Sequence, residues 1–127
     1  MTAKRILVID DEEDIREVAQ LSLEMVGGWE VLTASSGSEG IAKAEAEQPD
    51  AILLDVMMPD MDGPATFAQM QRRSSIQHIP VILLTAKVHA TDQQRFAELG
   101  VAGIIAKPFD PMKLANQVAE VLGWKDI

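Results

Sequence analysis

The sequence contains no cysteine, which excludes disulfide bonds, a thiolate nucleophile and a cysteine-based zinc site. No apolar run approaches the roughly 18–20 residues of a membrane-spanning helix. The four apolar residues after Arg5 are also too few for the core of a secretion signal. We therefore expect a cytoplasmic protein without a membrane segment.

Basic residues are few as well. Lys and Arg together number 11 against 20 Asp and Glu, giving a net charge of −9. This balance argues against a nucleic-acid-binding surface, because such a surface needs clustered positive charge. It is compatible with a protein that meets metal ions or basic patches on a partner.

Four short apolar runs lie at 6–9, 51–54, 80–84 and 101–106 of the 127 residues, and a mixed segment at 29–34 is suited to a further short strand. Continuous apolar runs bounded by turn signals are typical of strands buried on both faces. Amphipathic segments separate them, so the pattern predicts strand–helix repeated five times. A parallel sheet covered by helices on both faces accommodates this pattern, and we expect one doubly wound α/β domain over 1–127.

Three helix details follow from local patterns. The helical spacing of the first amphipathic segment places Met25 in the core. Thr91 and Gln94 resemble a capping box at the start of the fourth helix. Asp110 and Pro111 are suited to cap and open the fifth.

Polar side chains follow four of the predicted strands. They are Asp10, Asp11, Asp55, Thr85 and Lys107. Because the carboxyl ends of parallel strands meet at one edge, we expect these side chains to converge there. Acids at a helix start also serve as ordinary caps, which suffices for Glu12, Glu13 and Asp14 but leaves two carboxylates at a strand end unexplained.

Crowded carboxylates take up protons unless a cation compensates them, and Lys107 balances only one charge. Oxygen ligands with room for water are suited to Mg²⁺. Beside Mg²⁺, an ionised carboxylate can attack a phosphoryl group in line. The hydroxyl of Thr85, the backbone N–H after it and the ammonium of Lys107 would hold the phosphoryl oxygens.

These residues, together with Met58-Pro59, Asp62-Gly63, Thr85-Ala86 and Lys107-Pro108-Phe109, resemble the receiver domain of two-component response regulators, of the CheY-like kind. The resemblance covers essentially the whole chain. It implies a flavodoxin-like, five-stranded sheet of order 2-1-3-4-5 with five helices.

The resemblance also implies the roles of the site residues. Asp55 would be the phosphoacceptor, taking its phosphoryl group from a histidine kinase or a histidine phosphotransfer protein. Mg²⁺ would be bound by Asp10, Asp11, Asp55 and the backbone carbonyl of Met57. Thr85, the backbone N–H of Ala86, and Lys107 would contact the phosphoryl group, and the bond before Pro108 would be cis.

A switch follows from the same resemblance. Phosphorylation would rearrange the surface made by the fourth helix, fifth strand and fifth helix, where a downstream protein binds. The family usually has Tyr or Phe three residues before the lysine, but here that position is Ile104. Met57 and Lys87 would flank the path of the attacking water and tune the phosphate lifetime.

We expect a signalling module without an output domain that catalyses only its own Mg²⁺-dependent phosphorylation and dephosphorylation. Two other functions use related features. A haloacid-dehalogenase-like phosphatase needs a second Asp two residues after the nucleophile, where this chain has Met57. A flavin-binding module needs a phosphate loop rich in Ser, Thr and Gly after the first strand, where this chain has Asp10 and Asp11.

Overall fold

The computed structural model describes residues 4–86 and 89–124, in which strands and helices alternate along the chain. The strands are β1 (Arg5–Ile9), β2 (Glu30–Ala34), β3 (Ala51–Asp55), β4 (Val81–Thr85) and β5 (Gly103–Ala106). The helices are α1 (Glu13–Met25), α2 (Gly37–Glu47), α3 (Gly63–Gln71), α4 (Ala90–Glu98) and α5 (Leu114–Leu122). The predicted strand bounds differ from these by at most two residues.

All five strands pair in parallel in one sheet of order β2-β1-β3-β4-β5. This arrangement confirms the flavodoxin-like fold. The chain passes from β1 outward to β2 and then crosses back to β3, so the direction of winding reverses between β1 and β3. In such sheets the crevice beyond the carboxyl ends at that point is where ligands bind.

Two apolar cores hold the sheet between its helices. Alternate residues of each strand point to opposite faces. Ile6 and Val8 of β1 pack with α1 and α5, whereas Leu7 and Ile9 pack with α2, α3 and α4. This burial from both sides explains why β1, β3 and β4 have nearly continuous apolar sequences rather than alternating ones.

The fifth helix begins later than predicted. Asp110 forms a turn in which its Oδ1 accepts a hydrogen bond from the N–H of Met112 at 2.8 Å, and its carbonyl accepts from Lys113 and Leu114 at 2.9 and 3.0 Å. Because this turn comes first, α5 begins at Leu114 rather than at Pro111.

The predicted start of the fourth helix was also wrong. His89 is the N-cap residue of α4 and makes no side-chain capping hydrogen bond, so Thr91 lies inside the helix. The predicted core position of Met25 was wrong as well, since this residue is 81% exposed. The fully buried apolar residues of α1 are instead Ala19 and Leu23.

The two tryptophans lie together at the edge of the sheet formed by the amino ends of the strands. The rings of Trp29, just before β2, and Trp124, just after α5, are 5.0 Å apart in a T-shaped arrangement. Lys4 Nζ lies 5.3 Å from the centre of the Trp124 ring. These contacts attach the end of α5 to the turn that follows α1. No helix within the described ranges is both long and apolar enough to cross a membrane.

Candidate functional site

Two carboxylates are buried at adjacent strand ends. Asp10 directly follows β1, and Asp55 is the last residue of β3. The two residues are 0% and 2% exposed, respectively. The N–H of Asp10 donates to the carbonyl of Ala34 at 3.1 Å, and its Oδ1 accepts from the N–H of Glu12 at 2.9 Å. The turn into α1 therefore fixes the Asp10 carboxylate, while the adjacent Asp11 is exposed.

Lys107 joins the two buried carboxylates. It follows β5 directly, and its Nζ lies 2.9 Å from Oδ2 of Asp10 and 3.0 Å from Oδ1 of Asp55. Its backbone N–H donates to the carbonyl of Thr85 at 2.9 Å. The Lys107–Pro108 peptide bond is cis. One ammonium group thus serves two carboxylates taken from different strands.

The carboxylates also form a set of donors for a cation. One oxygen from each of Asp10, Asp11 and Asp55 lies within 4.8 Å of the others. In the part of the chain that the structure describes, Asp55 Oδ2 is buried without a hydrogen-bond partner. A buried carboxylate oxygen of this kind is costly unless a cation or donor satisfies it. The residues therefore fit Mg²⁺, which prefers oxygen ligands and retains several waters.

The electrostatics of the site follow from burial and charge. Burial is the largest effect on Asp55 and raises the pKa of its carboxyl group from 3.8 to about 6, with repulsion from Asp10 adding to it and the hydrogen bond from Lys107 opposing it. Burial lowers the pKa of Lys107, but its hydrogen bonds to Asp10 and Asp55 outweigh this, and the net pKa is raised. Lys107 therefore stays charged, whereas the positive charge near Asp55 is too small to offset the effect of burial on its carboxyl group.

The other predicted site residues lie in different places along this edge. Thr85 is buried at the end of β4, the strand between those of Asp55 and Lys107, and the exposed Ala86 follows it. Met57 lies in the loop after β3 and is 62% exposed. Ile104 is further from the edge, paired with Leu83 in the sheet and packed against the core on the α2–α4 side. Lys87 lies outside the described residues.

Two residues support the site through the backbone, and one of them, Arg16, had not been singled out from the sequence. Arg16 Nη1 in α1 donates to the backbone carbonyl of Asp10 at 2.8 Å. No local pattern separates this arginine from a solvated one, so only the fold reveals the contact. Gly63, at the start of α3, lies against the backbone of the Asp55 strand end. A Cβ there would be 2.6 Å from the Asp55 carbonyl oxygen, so only glycine permits this close approach.

Comparison with known families agrees with this geometry. The family model of the response regulator receiver domain matches residues 6–119. The chain belongs to this family. It is thus a receiver domain of the kind found in two-component response regulators, with a phosphoacceptor role in signalling.

Among curated relatives, the alkaline phosphatase synthesis transcriptional regulatory protein PhoP of Bacillus subtilis is 40% identical over 124 residues, which cover 98% of this chain and 50% of that protein. The phosphate regulon transcriptional regulatory protein PhoB of Pseudomonas aeruginosa is 37% identical over 122 residues, covering 96% and 53%. This receiver domain therefore spans about half the length of these relatives.

Solved structures show the same fold. The chemotaxis response regulator CheY4 of Vibrio cholerae superposes with a TM-score of 0.87 at 32% identity, over 94% of this chain and 99% of that one. A putative response regulator from Chloroflexus aurantiacus gives a TM-score of 0.86 at 29% identity, over 96% and 99%.

Proposed function

We propose that Asp55 is the phosphoacceptor of this receiver domain and takes a phosphoryl group from a phosphohistidine in a Mg²⁺-dependent reaction. The observation that carries the proposal is the state of the Asp55 carboxylate. It is buried, its Oδ2 has no hydrogen-bond partner among the described residues, and its Oδ1 is held 3.0 Å from Lys107. One carboxylate oxygen is thus oriented by the ammonium group, and the other has no protein donor among the described residues and can meet a metal ion or a phosphoryl group.

The proposed transfer needs no general base. A lone pair of an Asp55 carboxylate oxygen attacks phosphorus, the phosphorus–nitrogen bond of the phosphohistidine breaks, and the leaving imidazole keeps the bond electrons and is protonated. The product is an acyl phosphate on Asp55. Lys107 Nζ, already between Asp10 and Asp55, would shift to a phosphoryl oxygen as charge develops there.

Mg²⁺ held by Asp10, Asp11, Asp55 and the backbone carbonyl of Met57 would neutralise phosphoryl charge. Thr85 and the backbone N–H of Ala86 would hold the remaining phosphoryl oxygens. These assignments are supported by the position of Thr85 in the strand between those of Asp55 and Lys107.

We propose further that the domain acts on no separate substrate, so its catalysis is limited to its own phosphorylation and to hydrolysis of its acyl phosphate. The proposed donor is a histidine kinase or a histidine phosphotransfer protein, and the proposed location is the cytoplasm, where such donors meet receiver domains. The whole of 1–127 would form this one domain.

The proposed output is a protein contact rather than a nucleic-acid contact, supported by the net charge of −9. Phosphorylation would change the surface of α4, β5 and α5. Ile104 of β5 is aliphatic and packs against the core, so an aromatic side chain cannot carry the change at this position.

The test is phosphorylation by acetyl phosphate with Mg²⁺, read as intact mass. We expect one added phosphoryl group on the wild type, and none on Asp55→Asn or in the presence of a chelator. Asp62→Asn is the matched control, because it makes the same change at a nearby helix cap, and asparagine can still accept from Ala65. Labelling of Asp55→Asn would place the acceptor elsewhere. Phosphotransfer from a panel of histidine kinases would then identify the donor.

A further inference from the structure

A buried serine connects α1 to the segment that carries Lys107. Ser22 lies on α1 and is only 6% exposed. Its hydroxyl donates a hydrogen bond to the backbone carbonyl of Pro111. Pro111 is four residues after Lys107 and three before α5 begins. The mechanism proposed above gives Ser22 no role.

The segment between Lys107 and α5 is held at both of its ends. At its start, the N–H of Lys107 donates to the carbonyl of Thr85, and at its end Leu114 is fully buried in the core. Between them lies the turn of Asp110, whose hydrogen bonds are local to the segment. The Ser22 hydroxyl adds a contact to the middle of this segment from a different element.

The same helix also contacts the opposite side of the ion pair. Arg16 of α1 donates to the backbone carbonyl of Asp10, whose carboxylate is 2.9 Å from Lys107 Nζ. Arg16 and Ser22 thus bind the backbone near Asp10 and the backbone after Lys107, respectively. The one helix α1 therefore contacts the backbone on both sides of the ion pair.

We propose that Ser22 is a positioning residue for Lys107, holding the segment after β5 so that the ammonium reaches both the Asp10 carboxylate and the phosphoryl group on Asp55. This inference rests on the phosphorylation proposed above. Without the hydroxyl, the carbonyl of Pro111 loses its buried donor and the segment gains freedom. Lys107 then spends less time in the position that stabilises the transition state.

The test compares phosphorylation rates at saturating acetyl phosphate and Mg²⁺. We expect Ser22→Ala to be about three- to tenfold slower than wild type, the loss that one buried hydrogen bond produces. Ser36→Ala is the control, because it also deletes a hydrogen-bonded serine hydroxyl, at the α2 cap. It should lose stability but keep the wild-type rate. Ser22→Thr, which keeps the hydroxyl, should recover most of the rate.

A double variant separates positioning from general loosening. Since Ser22 acts through Lys107, adding Ser22→Ala to Lys107→Ala should produce no further loss of rate. Circular dichroism first checks that each variant is folded. If Ser22→Ala does not fold, Ser22→Cys takes its place, because cysteine has a similar volume and is a weaker hydrogen-bond donor.

An unchanged rate in the folded single variant, or an additive loss in the double variant, would overturn the inference. Absence of labelling in the wild type would instead refute the proposed phosphorylation.

Discussion

Replacing Asp55 by asparagine should stabilise the metal-free protein. Burial raises the pKa of the Asp55 carboxyl from 3.8 to about 6. A group whose folded-state pKa is raised destabilises the fold when it is ionised, above pH 6. The destabilisation declines as pH falls through 6 and is gone below 3.8, where the carboxyl is protonated in both states.

The pKa shift sets the size of the effect. A rise of roughly two units corresponds to about 3 kcal/mol of unfolding free energy, at 1.36 kcal/mol per unit. Asparagine removes this penalty but gives Lys107 a weaker partner, and Asp10 remains 2.9 Å from the ammonium. We therefore expect Asp55→Asn to be more stable by about 1–3 kcal/mol at pH 7.5.

The assay is urea unfolding followed by circular dichroism, with a chelator present, at pH 7.5 and pH 5. The difference between Asp55→Asn and wild type should shrink at pH 5, because much of the wild-type carboxyl is then protonated. Adding Mg²⁺ at pH 7.5 should also reduce the stability difference between the two proteins, because Mg²⁺ binding stabilises the folded wild type. Asp62→Asn, with an exposed side chain, should differ from wild type by no more than about 0.5 kcal/mol at either pH.

The reasoning would be refuted if metal-free Asp55→Asn were less stable than the wild type at pH 7.5. It would also fail if the difference were independent of pH, since titration of the buried carboxyl is its stated cause.

Two further substitutions test the parts around Asp55. Lys107→Ala should keep the fold by circular dichroism and be phosphorylated by acetyl phosphate at a strongly reduced but measurable rate, because it removes the cation 3.0 Å from Asp55. Labelling at the wild-type rate would remove Lys107 from the mechanism. Gly63→Ala should lower the free energy of unfolding, measured with urea, by about 1–3 kcal/mol, because the added Cβ would overlap the backbone at the end of β3. An unchanged unfolding free energy in Gly63→Ala would count against the steric explanation.

The sheet and the edge that carries the site could be predicted because both follow from simple patterns. Strands buried on two faces need continuous apolar residues, and alternation with helices requires them to be parallel. Parallel strands place Asp10, Asp55 and Lys107 at one edge whatever the details of the loops. The prediction that they lie close together therefore did not depend on how many residues separate them in the sequence.

Helix orientation could not be predicted in the same way. Apolar side chains occupy two stripes of α1, and Val18, Leu21 and Met25 lie on the exposed one. The inward stripe contains the small, fully buried Ala19, and periodicity alone does not distinguish the inward stripe from the exposed one. The start of α5 was missed because the hydrogen bonds of Asp110 close a turn before the helix rather than capping its first residue.

Hydrogen bonds from side chains to backbone carbonyls could not be predicted from the sequence either. Ser22 and Pro111 are 89 positions apart, and nothing in either neighbourhood signals a partner. Arg16 likewise binds a backbone carbonyl rather than a side chain, so no pairing of charges in the sequence indicates it.

Both indole rings of the sequence lie at the end of the sheet remote from Asp55, packed against each other. A five-residue strand covers about 16 Å at 3.3 Å per residue. Intrinsic fluorescence is thus insensitive to chemistry at the acidic edge itself. An emission change that accompanies acylphosphate formation would mean that the perturbation has travelled the full length of the strands to the last turn of α5.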